Sequence, residues 1–87
     1  MTTNPTTPSA AATELVAEMN RTISPELLPS VAKSEQVAKV LQTSVDALAQ
    51  DRYRGRGIPF VKVGGRVRYL RDDVLAYLAA NRTAGAA

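Results

Sequence analysis

Gly64 and Gly65 stand between two short runs, FVKV (60–63) and RVRY (66–69), in which apolar residues alternate with Lys62, Arg66 and Arg68. A period of two marks strands with one face turned inward. A two-residue Gly-Gly connection fits a type I′ turn, whose central positions both need positive φ. The pattern predicts a β-hairpin and sets its register. Phe60 falls opposite Tyr69 and Lys62 opposite Val67 on one face; Val61 pairs with Arg68 and Val63 with Arg66 on the other. Phe60 and Tyr69 lie at the base, where they can pack on neighbouring elements, and the charges lie toward the tip.

Helical patterns flank this ribbon. AATELVAEMNR (11–21) predicts a short helix with Leu15, Val16 and Met19 on one face and Glu14 and Glu18 in its first turns. ISPELLP (23–29) predicts a single turn, with Ser24 as N-cap, Pro25 at the first helical position and Pro29 as a stop. KSEQVAKVL (33–41) is the first firm helix, started by Lys33 or Ser34, with Val37, Ala38 and Leu41 as its apolar stripe. After about three residues Ser44 caps a second helix, VDALAQDRY (45–53), which Gly55, Gly57 and Pro59 terminate. Two helices joined this tightly predict a helix-turn-helix. RDDVLAYLAAN (71–81) predicts a closing helix with Asp72 and Asp73 in its first turn and Val74, Leu75 and Leu78 facing inward. Residues 1–9 read as a disordered tail, 10–30 as an N-terminal helical extension, 31–81 as the folded domain and 82–87 as a frayed tail. The fold class is mainly α with a β-hairpin, a small winged helix-turn-helix.

Charge is unevenly spread. Seven of the eleven basic residues (Arg52, Arg54, Arg56, Lys62, Arg66, Arg68 and Arg71) fall between positions 52 and 71, and none of the eight acids does. That window carries +7 and the rest of the chain −4. A block that also contains strand-forming Val, Phe and Tyr is a folded basic surface, the footprint expected for a polyanion. With no Cys and no His, the chain lacks thiol chemistry, the usual general base and the commonest metal ligand. No nucleophile–base set can be assembled, so the chain is not expected to be an enzyme and no cofactor is expected. No stretch approaches a membrane span or a secretory signal, so a cytoplasmic, nucleoid-associated protein with no membrane partner is expected.

The order helix, tight turn, helix, basic hairpin, helix also carries a resemblance. SEQVAKVLQTSVDALAQDRYRGRGIPFVKVGGRVRYLRDDVLAYL resembles the excisionase/MerR-like DNA-binding family. The shared pattern is an E-E-V-A-x-x-L first helix, a serine-capped second helix, a P-x-x-K-V-G-x-R wing and a closing D-[VL]-x-x-Y-L helix. It covers about residues 31–79 and does not reach residues 1–30. Gln42 and Thr43 stand where the family usually has Gly-Val, and Asp51 where it often has an apolar or aromatic residue. The resemblance implies a second helix in the major groove of double-stranded DNA and a wing in an adjacent minor groove. It further implies either a small transcription regulator or, the reading adopted, a phage or mobile-element excisionase. Such a recombination directionality factor binds repeated sites, bends DNA, associates with further copies of itself and directs a tyrosine-type integrase toward excision.

The candidate contacts follow. Asp46, Gln50 and Tyr53 form one polar stripe at i, i+4, i+7, with Val45 and Leu48 pointing elsewhere, inward. Gln50 has the groups to bond an adenine, Asp46 to accept from a cytosine amino group and Tyr53 to reach a phosphate. Arg54 and Arg56 are candidate phosphate clamps. Arg66, beside the turn that Gly65 keeps open to close approach, is the leading wing contact, because a narrow minor groove attracts arginine. Lys62 and Arg68 are secondary, and Arg68 has a second reading as an anchor for the last helix. Arg52 either touches DNA or pairs with Asp51, Asp46 or another acid. Phe60, Tyr69, Tyr77 and Leu78 read as core, and Asp72–Asp73 as a helix start. Residues 11–28 either pack on the domain or form a self-association surface, or both. A protein-interaction module with an incidental basic face is the alternative from another class.

Overall fold

A computed structural model describes residues 10–82. The expected tails at 1–9 and 82–87 lie outside the described residues apart from Arg82, which follows α4 with no regular structure. The elements run α1 (Ala10–Thr22), β1 (Val31–Ala32), α2 (Ser34–Leu41), α3 (Val45–Tyr53), β2 (Val61–Val63), β3 (Arg66–Leu70) and α4 (Arg71–Ala80). The hairpin has the predicted register, Val61↔Arg68, Lys62↔Val67 and Val63↔Arg66. Gly64 and Gly65 have φ of 58° and 82°, as a type I′ turn requires. The strand β1 was not foreseen. It pairs antiparallel with β3, Val31↔Leu70 and Ala32↔Tyr69, so the hairpin becomes a three-stranded sheet in the order β1-β3-β2.

Local chemistry explains the helix–turn–helix. Lys33, not Ser34, is the N-cap of α2; its backbone N–H donates to Gln36 Oε1 at 2.8 Å. Helix α2 ends on Gln42 in the left-handed region (φ 55°, ψ 44°), with Thr43 N–H donating to Ala38 O and Gln42 N–H to Lys39 O. That is a Schellman closure, built here on glutamine instead of glycine. Two residues later Ser44 Oγ accepts from Ala47 N–H at 3.0 Å and starts α3.

The core lies between the helices and one face of the sheet. Leu28, Ala32, Val37, Tyr69, Val74 and Leu75 are at most 1% exposed. Val16, Met19 and Ile23 pack against this cluster, and α1 packs along α4. Residues 10–30 are therefore part of the folded unit. Because α1 starts at Ala10, Glu14 and Glu18 lie beyond its first turn, contrary to expectation. The turn at Ser24 forms as expected, its Oγ and carbonyl accepting from Glu26, Leu27 and Leu28 N–H.

Arg71 fastens this extension. It was expected to belong to the basic surface, but it is buried. Its guanidinium donates to Leu28 O at 2.6 Å, Ile23 O at 2.7 Å, Asn20 Oδ1 at 3.0 Å and Asn20 O at 3.2 Å. One side chain at the start of α4 thus satisfies the carbonyls that end α1 and close the following turn.

Candidate nucleic-acid interface

The cap at Ser44 orients α3 so that Leu48 is buried while Asp46, Gln50 and Tyr53 face solvent. The three share one outward face, and Tyr53 is 93% exposed, a whole aromatic ring offered to water. Val45 departs from expectation. It is 38% exposed and sits beside Asp46 rather than in the core. With half-buried Ala49 it adds an apolar row to this face, of the type that meets a thymine methyl. The i, i+4 spacing of Val45 and Ala49 was the available signal.

The basic block divides into separate groups. Arg52 pairs with neither Asp51 nor Asp46. Its Nη1 donates to the Tyr69 hydroxyl at 2.5 Å, and its guanidinium lies 5.9 Å from the Phe60 ring and 5.8 Å from the Tyr69 ring. It joins α3 to the base of the hairpin, which fixes the outward face of α3 relative to the ribbon. Arg56 Nε donates to Asp51 Oδ1 at 3.1 Å, yet its side chain stays 64% exposed, so it holds the post-helix loop and still reaches solvent. Gly57 lets that loop pass close to Asp51: a Cβ on it would sit 2.9 Å from Asp51 Cβ, at a φ of 92°. Arg68 is half-buried and donates to Val67 O. Arg54, Lys62 and Arg66 are exposed.

These side chains lie around one ribbon and one helix. Lys62 shares the sheet face of Val67 and Tyr69, the side that Arg52 of α3 reaches, and Arg66 and Arg68 share the other. The turn at Gly64–Gly65 has open space where a Cβ would be, so the backbone there is free to approach a ligand closely. Together they make a solvent-facing helix of hydrogen-bonding side chains beside a ribbon with cations on both faces. Phosphate oxygens suit the exposed cations, and base edges suit Gln50 and Asp46.

Tyr69 is core, and Tyr77 and Leu78 pack against it, but Phe60 is 40% exposed under Arg52. A gap of about 200 Å³ lies between α3 and α4, lined by Leu41, Ala47, Leu48, Asp51, Tyr69 and Tyr77 among others. Its charged lining residues are engaged within the protein, Asp51 with Arg56 and Arg52 with Tyr69. Among the described residues, no cluster could hold a metal ion and no helix is long and apolar enough to cross a membrane.

Residues 33–82 match a family model described as a helix-turn-helix domain. No curated protein and no solved structure matches the chain.

Proposed function

The chain belongs to the helix-turn-helix domain family, and from that premise we propose that it binds double-stranded DNA as an architectural, non-enzymatic protein. In this reading α3 reads base edges in the major groove through Gln50 and Asp46, and Tyr53, Arg54 and Arg56 hold phosphates. The hairpin tip sets Arg66 into the neighbouring minor groove, with Lys62 on the backbone. The observation that carries the reading is the outward stripe of α3 beside an exposed, cation-bearing ribbon, the two tied together by Arg52 and Tyr69.

The finer role rests on the resemblance and on the small reading surface that one such domain offers. One short helix and one wing recognise a short site, while a genome offers non-specific sites in vast excess. Several copies on adjacent repeats solve this, and their combined bends bring distant sites together. That is the work of an excisionase directing a tyrosine-type integrase. Footprinting on DNA of the source genome, with and without the neighbouring integrase, tests it. Protection of repeated sites and a bend that grows with each added copy support the excisionase role. A single protected site with no bend assigns the chain to small transcription regulators instead.

A further inference from the structure

Val63 has no part in the core or in the contacts assigned so far. It is 58% exposed, the highest value among the large aliphatic side chains of the described residues. It ends β2, directly before the turn at Gly64–Gly65. Strand propensity does not demand a valine there, because threonine serves a solvated strand position as well. Val63 pairs across the strands with Arg66, and the two border one open groove on the outer face of the sheet.

The register ties Val63 to Arg66. Directly opposed residues of an antiparallel pair share a face, with Cβ atoms about 5 Å apart. The turn carries no side chain, and nothing lies where its Cβ atoms would be. It is therefore the slimmest part of the ribbon and enters a groove first. Val63 and Arg66 are the next side chains to meet the groove, and Arg66 cannot go in without Val63.

Base edges in the minor groove differ in one group. A·T and T·A present only the acceptors N3 and O2, whereas G·C adds the N2 amino donor of guanine. Arg66 offers donors alone and Val63 offers neither donor nor acceptor. The two side chains thus suit the A·T edge and supply nothing that accepts from the guanine amino group. A donor buried without a partner is disfavoured.

We propose that Val63 makes the wing selective for A·T pairs: Arg66 donates to N3 or O2, and Val63 fills the space that the amino group of guanine would need. The inference rests on the DNA-binding reading with the wing in the minor groove. It deepens that reading by giving the wing a sequence preference of its own, at base pairs beside those that α3 meets.

Duplexes that the parent protein selects from a random pool supply the site, and base analogues then separate the two grooves. Diaminopurine in place of adenine adds the N2 amino group and leaves the major-groove edge of A·T unchanged. Inosine in place of guanine removes that group and leaves the major-groove edge of G·C unchanged. The selected duplexes are expected to carry A·T at one or two pairs flanking the segment that α3 reads. At those pairs diaminopurine should weaken binding by the parent about tenfold, G·C should do the same, and inosine should restore it. Val63→Thr keeps the shape of the side chain and adds an acceptor, so its penalty for diaminopurine should fall to about twofold or less. Selection of G·C at the flanking pairs, or a parent indifferent to diaminopurine throughout the site, overturns the proposal. So does a Val63→Thr protein that discriminates as the parent does, a result that would assign the preference to groove width felt by Arg66. A parent that enriches no duplex overturns the DNA-binding reading itself, and the proposal with it.

Discussion

Arg71→Met keeps the length of a buried side chain and removes every donor it offers. Four bonds are lost, to Leu28 O, Ile23 O, Asn20 O and Asn20 Oδ1. The bond to Leu28 is fully buried and the other three are partly so. An acceptor stranded away from water costs about 1–3 kcal/mol. Leu28 O bears that in full and the other acceptors recover part of their hydration. Against this, Arg71 is 9% exposed and has no carboxylate partner among the described residues, so losing its charge returns some desolvation. The net expectation is a loss of about 2–4 kcal/mol. A chain of 87 residues has about 4–13 kcal/mol in total at the usual stability per residue. Urea unfolding followed by circular dichroism should show the loss as a lower midpoint. Hydrogen exchange should show α1 opening first, with α2 and α3 still protected, because Arg71 fastens α1 and its turn to α4. Where the variant is folded, the salt dependence of DNA binding should match the parent, since this guanidinium does not face solvent. A loss below about 1 kcal/mol, or unchanged protection of α1, would refute the reasoning.

Gln42→Gly should stabilise the protein by about 1 kcal/mol, because glycine occupies the left-handed position without the Cβ clash; a melting temperature higher by about 4–8 °C checks it. Gly57→Ala should cost about 1–3 kcal/mol, since its Cβ would press on Asp51 Cβ at 2.9 Å with φ at 92°; a melting temperature equal to the parent's would be inconsistent with the close approach. Gln50→Ala should cost about 1–3 kcal/mol on the cognate site and little on competitor DNA, as read by competition binding.

Where a single residue type dictates backbone conformation, the chain was legible. Gly64–Gly65 set the hairpin turn and with it the register, and Ser44 set the start of α3. The outward stripe of α3 was legible for the same reason, since helical period alone places Asp46, Gln50 and Tyr53 together. What escaped depends on partners remote in sequence. Strand β1 is two residues long and exists because Leu70 and Tyr69 come to meet it. Arg71 looked like one more cation in a basic block, because three of its acceptors are main-chain carbonyls that no side-chain pattern announces. Arg52 was expected either to touch DNA or to find an acid, and it found a phenol, since the hairpin base brings Tyr69 to it. Val45 was assigned inward on hydrophobicity alone, whereas the capped first turn of α3 points it outward. The glutamine closing α2 shows that the turn keeps its left-handed residue even without glycine.

The central claim is that α3 and the ribbon form a DNA-binding surface, and the most direct measurement is the affinity for duplex DNA across a salt series, for the parent and for Arg66→Ala. Each phosphate neutralised contributes about 0.9 to the slope of log affinity against log salt. Arg54, Arg56, Lys62 and Arg66 reach solvent in the candidate interface, so the account predicts a slope of about −3 to −4 for the parent and one shallower by about 0.9 for Arg66→Ala. Affinity that does not change with salt, or identical slopes for two proteins that both fold by circular dichroism, would contradict it.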